Sequence, residues 1–190
     1  MAAEKRVRDE VTPLGNPQTV EVVPMAAASL PVQNRNTVLQ FYMTADELAR
    51  AVKGTNGKVD EVLSQLTEIK QTLKQSPRGN EQLLEQTRRL ELKLRDIRES
   101  LVGRTVISQH NEPDLISIAN RVSSAMSGAG STYGPTKTNR ADYEIAKEEF
   151  EAVLGRVKRL VEGDFVNLQK NLEAAGLPWT AGLPIPKLKD

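Results

Sequence analysis

The stretch "AVKGTNGKVDEV" (Ala51–Val62) decides the fold. Two glycines and an asparagine within six residues are the usual chemistry of a turn between two helices. The flanking apolar residues argue otherwise. Val38, Phe41, Ala45, Leu48, Val52, Thr55, Val59, Val62, Leu66, Ile69 and Leu73 follow one another at alternating steps of three and four. This is a heptad seam, and the seven residues from Val52 to Val59 keep its phase across the glycines. A turn has no reason to preserve phase. The pattern therefore predicts one helix over about 35–75, weakened by about 1 kcal/mol for each glycine. A hairpin turn at Lys53–Lys58 is the alternative.

Working outward from this helix, "QSPRGN" (Gln75–Asn80) breaks the chain. A second helix is expected over 81–102, with a seam of Leu83, Thr87, Leu90, Leu94, Ile97 and Leu101. Glu85 with Arg89 and Glu91 with Arg95 are favourably ordered i,i+4 pairs on it. Gly103 stands where a left-handed C-terminal cap belongs. After the connector "RTVISQHNEP", a third helix is expected over 114–127, starting at Asp114 or just after Pro113. "SGAGSTYGPTKTN" (Ser127–Asn139) reads as a loop with Thr138 or Asn139 as the next cap. The fourth helix is expected over 139–175. Its apolar positions run Tyr143, Ala146, Phe150, Val153, Val157 and Leu160, then shift phase to Val161, Phe165, Leu168, Leu172 and Ala175. The eleven residues from Val157 to Leu168 relax a left-handed supercoil locally. Gly176 caps this helix and Pro178 prevents its continuation.

Residues 1–32 read as a lead-in containing one short strand over 18–24, "QTVEVVP", stopped by Pro24. Residues 33–176 form the helical part, and 177–190 an extended, Pro-rich tail. At about 1.5 Å per residue, the first and fourth helices are roughly 60 and 55 Å long, and the second and third together match one of them. The fold class expected is all-α: an antiparallel bundle of two long helices plus two shorter ones forming a middle rod broken at 103–113. Four helices of alternating direction are the alternative. In the broken-rod arrangement the fourth helix ends beside the turn at Ser76–Asn80, and Trp179, the only tryptophan, caps the end of the apolar seam there.

Composition removes several functions. The 190 residues carry 26 Lys and Arg against 25 Asp and Glu, a net charge of +1. That balance lacks the clustered basic excess of a nucleic-acid footprint, and of a basic helix that selects a membrane surface. No apolar run reaches the ~18 residues of a membrane span, and "MAAEKRVRDEV" lacks the apolar segment of a signal peptide. With no cysteine, disulfides, thiolate metal sites and cysteine nucleophiles are excluded.

Candidate chemistry is sparse. His110 is the only histidine and has no partner of metal-ligating type, so no metal site and no cofactor site are expected. No serine sits in a nucleophile-elbow setting. Asp60, Glu61, Glu148, Glu149 and Glu151 fall off the seams and read as solvated faces rather than the facing carboxyl pair of a glycosidase. Asp164 sits where the first register of the fourth helix calls for an apolar residue, and the phase shift turns it outward. "GAGSTYGPT" lacks the Lys-Ser/Thr of a phosphate loop, and "RRLELKLRDIR" mixes its charges like a salt-bridged helix face. What remains is structural. The expected core is Phe41, Leu48, Val52, Val59, Leu66, Leu94, Ile97, Phe150, Val157, Phe165 and Leu168, with Trp179 as end cap and no catalytic residue.

The order of several stretches carries a resemblance. "PQTVEVVP", "LPVQNRNTVLQF", "ELARAVKGTNGKVDEVLSQLTEIKQTL", "HNEPDLISIANRVSSAMSG", "TYGPTKTNRADYEIAKEEFEAVL" and "VEGDFVNLQKNLEAAGLPWTAGLPIP" together resemble the C-terminal helical region of large bacterial BNR-repeat, sortilin-like β-propeller proteins, often labelled glycosyl hydrolases. The likeness runs from about Gly15 onward. It implies that "QTVEVVP" closes a small β-domain preceding this region. It also implies that the propellers, with any catalytic carboxylates, lie upstream, and that the setting is secreted or envelope-associated. No S-x-D-x-G-x-T-W propeller box occurs in this chain, and the residues after "WTAG" continue further than the family pattern does. The resemblance implies a non-catalytic helical accessory or scaffold domain that partners the upstream propellers or docks another protein. A stand-alone coiled-coil interaction module is the alternative, and glycan hydrolysis by this segment a third reading.

Overall fold

The computed structural model describes residues 4–7, 10–13, 15–16, 19, 34–77, 79–104, 116–131 and 133–177. The chain divides into two compact units, Met1–Pro31 and Val32–Asp190.

In the first unit, β1 (Glu4–Val7) and β2 (Glu10–Pro13) pair antiparallel, with Glu4 opposite Pro13 and Val7 opposite Glu10. This hairpin lies where only a lead-in was expected. Its strands carry four charged residues among eight, which hides any apolar alternation. Of the strand expected over 18–24, Thr19 is the one described residue, and it is exposed and outside any strand. The rest of that segment lies outside the described residues.

The second unit is an all-α bundle. Its first helix, α1, spans Arg35–Gln75 without interruption, so "KGTNGK" is helix and not a turn. Asn34 caps its start, its side chain accepting from the Thr37 N–H. The buried residues Ala45, Leu48, Val52, Val59, Val62, Leu66, Ile69 and Leu73 form one stripe on it. The turn that follows needs Gly79, since a Cβ there would lie 1.9 Å from the Leu73 carbonyl oxygen. Asn80 then caps α2 (Glu81–Val102) by accepting from the Leu83 N–H at 2.7 Å. The α2 helix ends on Gly103, which holds φ +81°.

Two starts differ from the sequence pattern. The third helix, α3, covers Ile118–Met126, and its cap is the buried Ser117, which accepts from the Asn120 N–H. The expected start at Asp114 or just after Pro113 lies outside the described residues, and this helix begins after Ser117, which is in extended backbone and takes the capping role. The next helix, α4 (Lys137–Lys158), starts at Thr136 rather than at Thr138 or Asn139. Thr136 and Asn139 cap each other reciprocally, and the Asn139 side-chain amide also donates to the Ser124 carbonyl at 2.6 Å. Buried Asn139 thus ties the start of α4 to the end of α3.

The last helix continues through a π-helical segment, Arg159–Phe165, into α5 (Val166–Ala174). Leu160 and Phe165 are both buried, five residues apart. A regular α-helix cannot bring such a step onto one face, and the wider π turn can. The phase shift in the sequence is this π segment. Gly176, at φ +64°, ends the helix.

Contacts between side chains fix the directions. Lys70 meets Glu91 and Asp60 meets Arg98, so α2 runs antiparallel to α1. Asp164 meets Lys93 and Asn171 meets Gln86, so the last helix runs antiparallel to α2 and ends beside its start. Ser124 and Arg121 of α3 reach Asp142 of α4. Both α2 and α3 pack on α1 and on α4. A single apolar cluster runs from Leu48 to Leu172 through all of these helices.

Candidate functional site

The expected core residues can be placed one by one. Leu48, Val52, Val59 and Leu66 on α1, Leu94 and Ile97 on α2, Phe150 and Val157 on α4, Phe165 in the π segment and Leu168 on α5 are all buried. Phe41 differs. It is half-buried, edge-on to Tyr42 and Tyr143 with ring centroids 5.3 and 5.7 Å away, and the Arg140 guanidinium lies over its face at 5.1 Å. It stands one turn before the first buried residue, Ala45, where the seam opens to solvent, so it joins an aromatic end cluster instead of the core. His110 and Trp179 lie outside the described residues.

The carboxylates are mostly held by local partners. Asp60 accepts from Arg98 Nε at 2.7 Å and from Asn56 Nδ2 at 2.9 Å. Glu61 pairs with Lys58 at 2.9 Å, and Glu149 lies 3.4 Å from Arg121. Asp164 is exposed, 3.7 Å from Lys93. It stands on a polar groove of about 1030 Å³ between α2 and the last helix, which also takes Glu85, Arg89 and Asn167 and so carries both signs of charge. Among the described residues, no three His, Cys, Asp or Glu side chains gather as a metal site would need. No helix among them is long and apolar enough to cross a membrane.

Glu91 is the acid that periodicity misses. Its side chain keeps 8 % of its exposure, yet it is ionised between Lys70 Nζ at 2.5 Å and Arg95 at 2.7 Å. Burial pushes its carboxyl up. The hydrogen bond and charge of Lys70, with those of Arg95, outweigh that and hold it below its ordinary 4.5. The sequence shows the Glu91–Arg95 pair but not Lys70. The available signal is that Glu91 directly follows the seam residue Leu90, and Lys70 directly follows Ile69, so each flanks a seam.

An apolar concavity lies where the middle of the bundle changes from α2 to α3. It is a groove of about 660 Å³ walled by Ala49 and Val52 of α1, Val102 at the end of α2, and Ala119, Val122 and Met126 of α3. Lys53 and Asn56 stand at it. The Asn56 side chain donates to Asp60, while its Oδ1 is buried and has no hydrogen-bond partner among the described residues. Such a surface suits an aliphatic side chain with a nearby N–H or O–H donor. Ser123 and Ser127 also line it, the Ser127 hydroxyl donating to the Ser124 carbonyl, and no carboxyl among the described residues does.

No family model, no curated protein and no solved structure matches this chain.

Proposed function

We propose that the helical unit is a non-catalytic scaffold, a rod that sets spacing within a larger protein or docks a partner. The observation behind this reading is the apolar stripe of α1, interrupted only at half-buried Thr55. From Leu48 to Leu73 it is buried inside the same chain over roughly 38 Å. The heptad seam is therefore used up in folding one polypeptide. The larger protein proposed is of the BNR-repeat, sortilin-like propeller type, with this unit at its C-terminal end. That placement rests on the ordered sequence stretches alone. It includes a strand over 18–24 that completes a preceding β-domain, an extended tail over 177–190 and Trp179 as a cap on the bundle end.

Sedimentation velocity of the full chain over a hundredfold concentration range tests the scaffold reading. A concentration-independent monomer is expected. Reversible dimerisation would favour the second reading, an interaction module acting by itself. That reading draws on Leu39 and Met43, which are 59 % and 55 % exposed one turn apart on α1, facing away from the seam. Turnover of a glycan by the full chain would overturn both.

A further inference from the structure

A helix-interior glycine usually has a packing reason, a neighbour too close for a Cβ. Gly54 and Gly57 of α1 and Gly155 of α4 have none, since a Cβ on any of them would meet nothing within 4 Å. Each therefore weakens its helix with no compensating contact.

Gly163 of the π segment is alike in this but lies eight residues further on; the other three share one level of the bundle. Asn56 and Val102 line the same groove, so Gly54–Gly57 lie beside the end of α2. The antiparallel pairs Lys93–Asp164 and Gln86–Asn171 have a constant offset, which brings Val102 level with Gly155. From the other side, Arg121 reaches Glu149, so the start of α3 faces the stretch of α4 just before Gly155. At this level the α1 stripe is also interrupted. Thr55 and Asn56 are half-buried polar residues between buried Val52 and Val59, and Val102 is 37 % exposed. The buried residues that α4 carries across it are Phe150, Val153 and Val157.

We infer that the bundle hinges at this level. The half made of the start of α1, α3 and the start of α4 turns against the half made of the end of α1, α2 and the last helix, with the Phe150–Val157 face of α4 as pivot. The apolar groove is the mouth of the joint, widening or closing as α1 bends at Gly54–Gly57. This holds whether or not the scaffold reading does, because it depends only on the helices' own packing.

The absence of cysteine allows a direct test. Spin labels on Glu47→Cys and Lys74→Cys, both exposed, sit 27 residues apart on α1, roughly 40 Å if it is straight. Electron-spin distance measurement on the full chain should give a broad distribution reaching below that length, and Gly54→Ala with Gly57→Ala should narrow it. Amide exchange at 54–58 should be faster than at 62–70 and slow by roughly 30-fold in the same double variant. A narrow distribution at straight-helix length in the native sequence overturns the hinge. So does a broad one, or a fast exchange at 54–58, that the alanines leave unchanged.

Discussion

Two stretches of this bundle invert what local propensity would suggest. "KGTNGK" in α1 has four poor helix formers at its centre, yet it is regular α-helix. "RLVEGDF" in the last helix is richer in good ones, yet it leaves α geometry for a π turn. The difference lies in the spacing of the apolar residues on either side. Around the first stretch, Val52 and Val59 are one heptad apart and stay on one face without distortion. Around the second, Leu160 and Phe165 are five apart, and the backbone must widen to bury both. Packing sets the phase of each helix, and propensity only adjusts how firmly it is held.

The largest effect should come from breaking phase in α1. Deleting Gly57 rotates everything after it by about 100° and moves Val59, Val62, Leu66, Ile69 and Leu73 off the core. The expected result is loss of cooperative unfolding, a loss comparable to a domain's whole ~5–15 kcal/mol, seen by circular dichroism melting. Next, Leu66→Ala empties a site with 0 % exposure and should cost about 2–5 kcal/mol in urea titration. A cost below about 0.5 kcal/mol would refute the seam.

A smaller effect concerns Glu91. Its carboxyl is held below 4.5, so its contribution to stability is present above that pH and is lost as the pH falls through the lowered value. Glu91→Gln should cost about 2 kcal/mol at pH 7, less than the ~3–5 of a fully buried pair because Lys70 stays 23 % exposed. The variant should also lose less stability than the native chain between pH 7 and the lowered value, an outcome that parallel urea titrations at several pH values would check. The smallest effect is Asp164→Asn. Its pair with Lys93 is 3.7 Å long with both side chains more than half exposed, so a change under about 0.5 kcal/mol is expected.

The same contrast explains how much could be read from the sequence. The ends of α1 and α2 were legible, because the seam, "QSPRGN" and Gly103 all point to the same limits. The starts of α3 and α4 were not. Thr136, Thr138 and Asn139 are all competent caps for α4, and the reciprocal capping of Thr136 and Asn139, reinforced by the link from Asn139 to the Ser124 carbonyl, selects Thr136. The phase shift was visible, but the break falls between Leu160 and Phe165, because burial chooses Leu160 over half-buried Val161. Phe41 looked like core by spacing alone, and spacing cannot tell where a seam runs out of partners. The apolar groove was not legible either, since its walls come from three helices whose alignment depends on long-range pairs.

The central claim is that apolar spacing dictates backbone geometry here, and one deletion tests it most directly. Removing Gly163 shortens the Leu160–Phe165 step from five residues to four and restores α spacing, and a Cβ at Gly163 would meet nothing within 4 Å. Thermal melting of this variant should show a cooperative transition with stability within about 1 kcal/mol of the native chain. A collapse as complete as that expected for deletion of Gly57 would contradict the account.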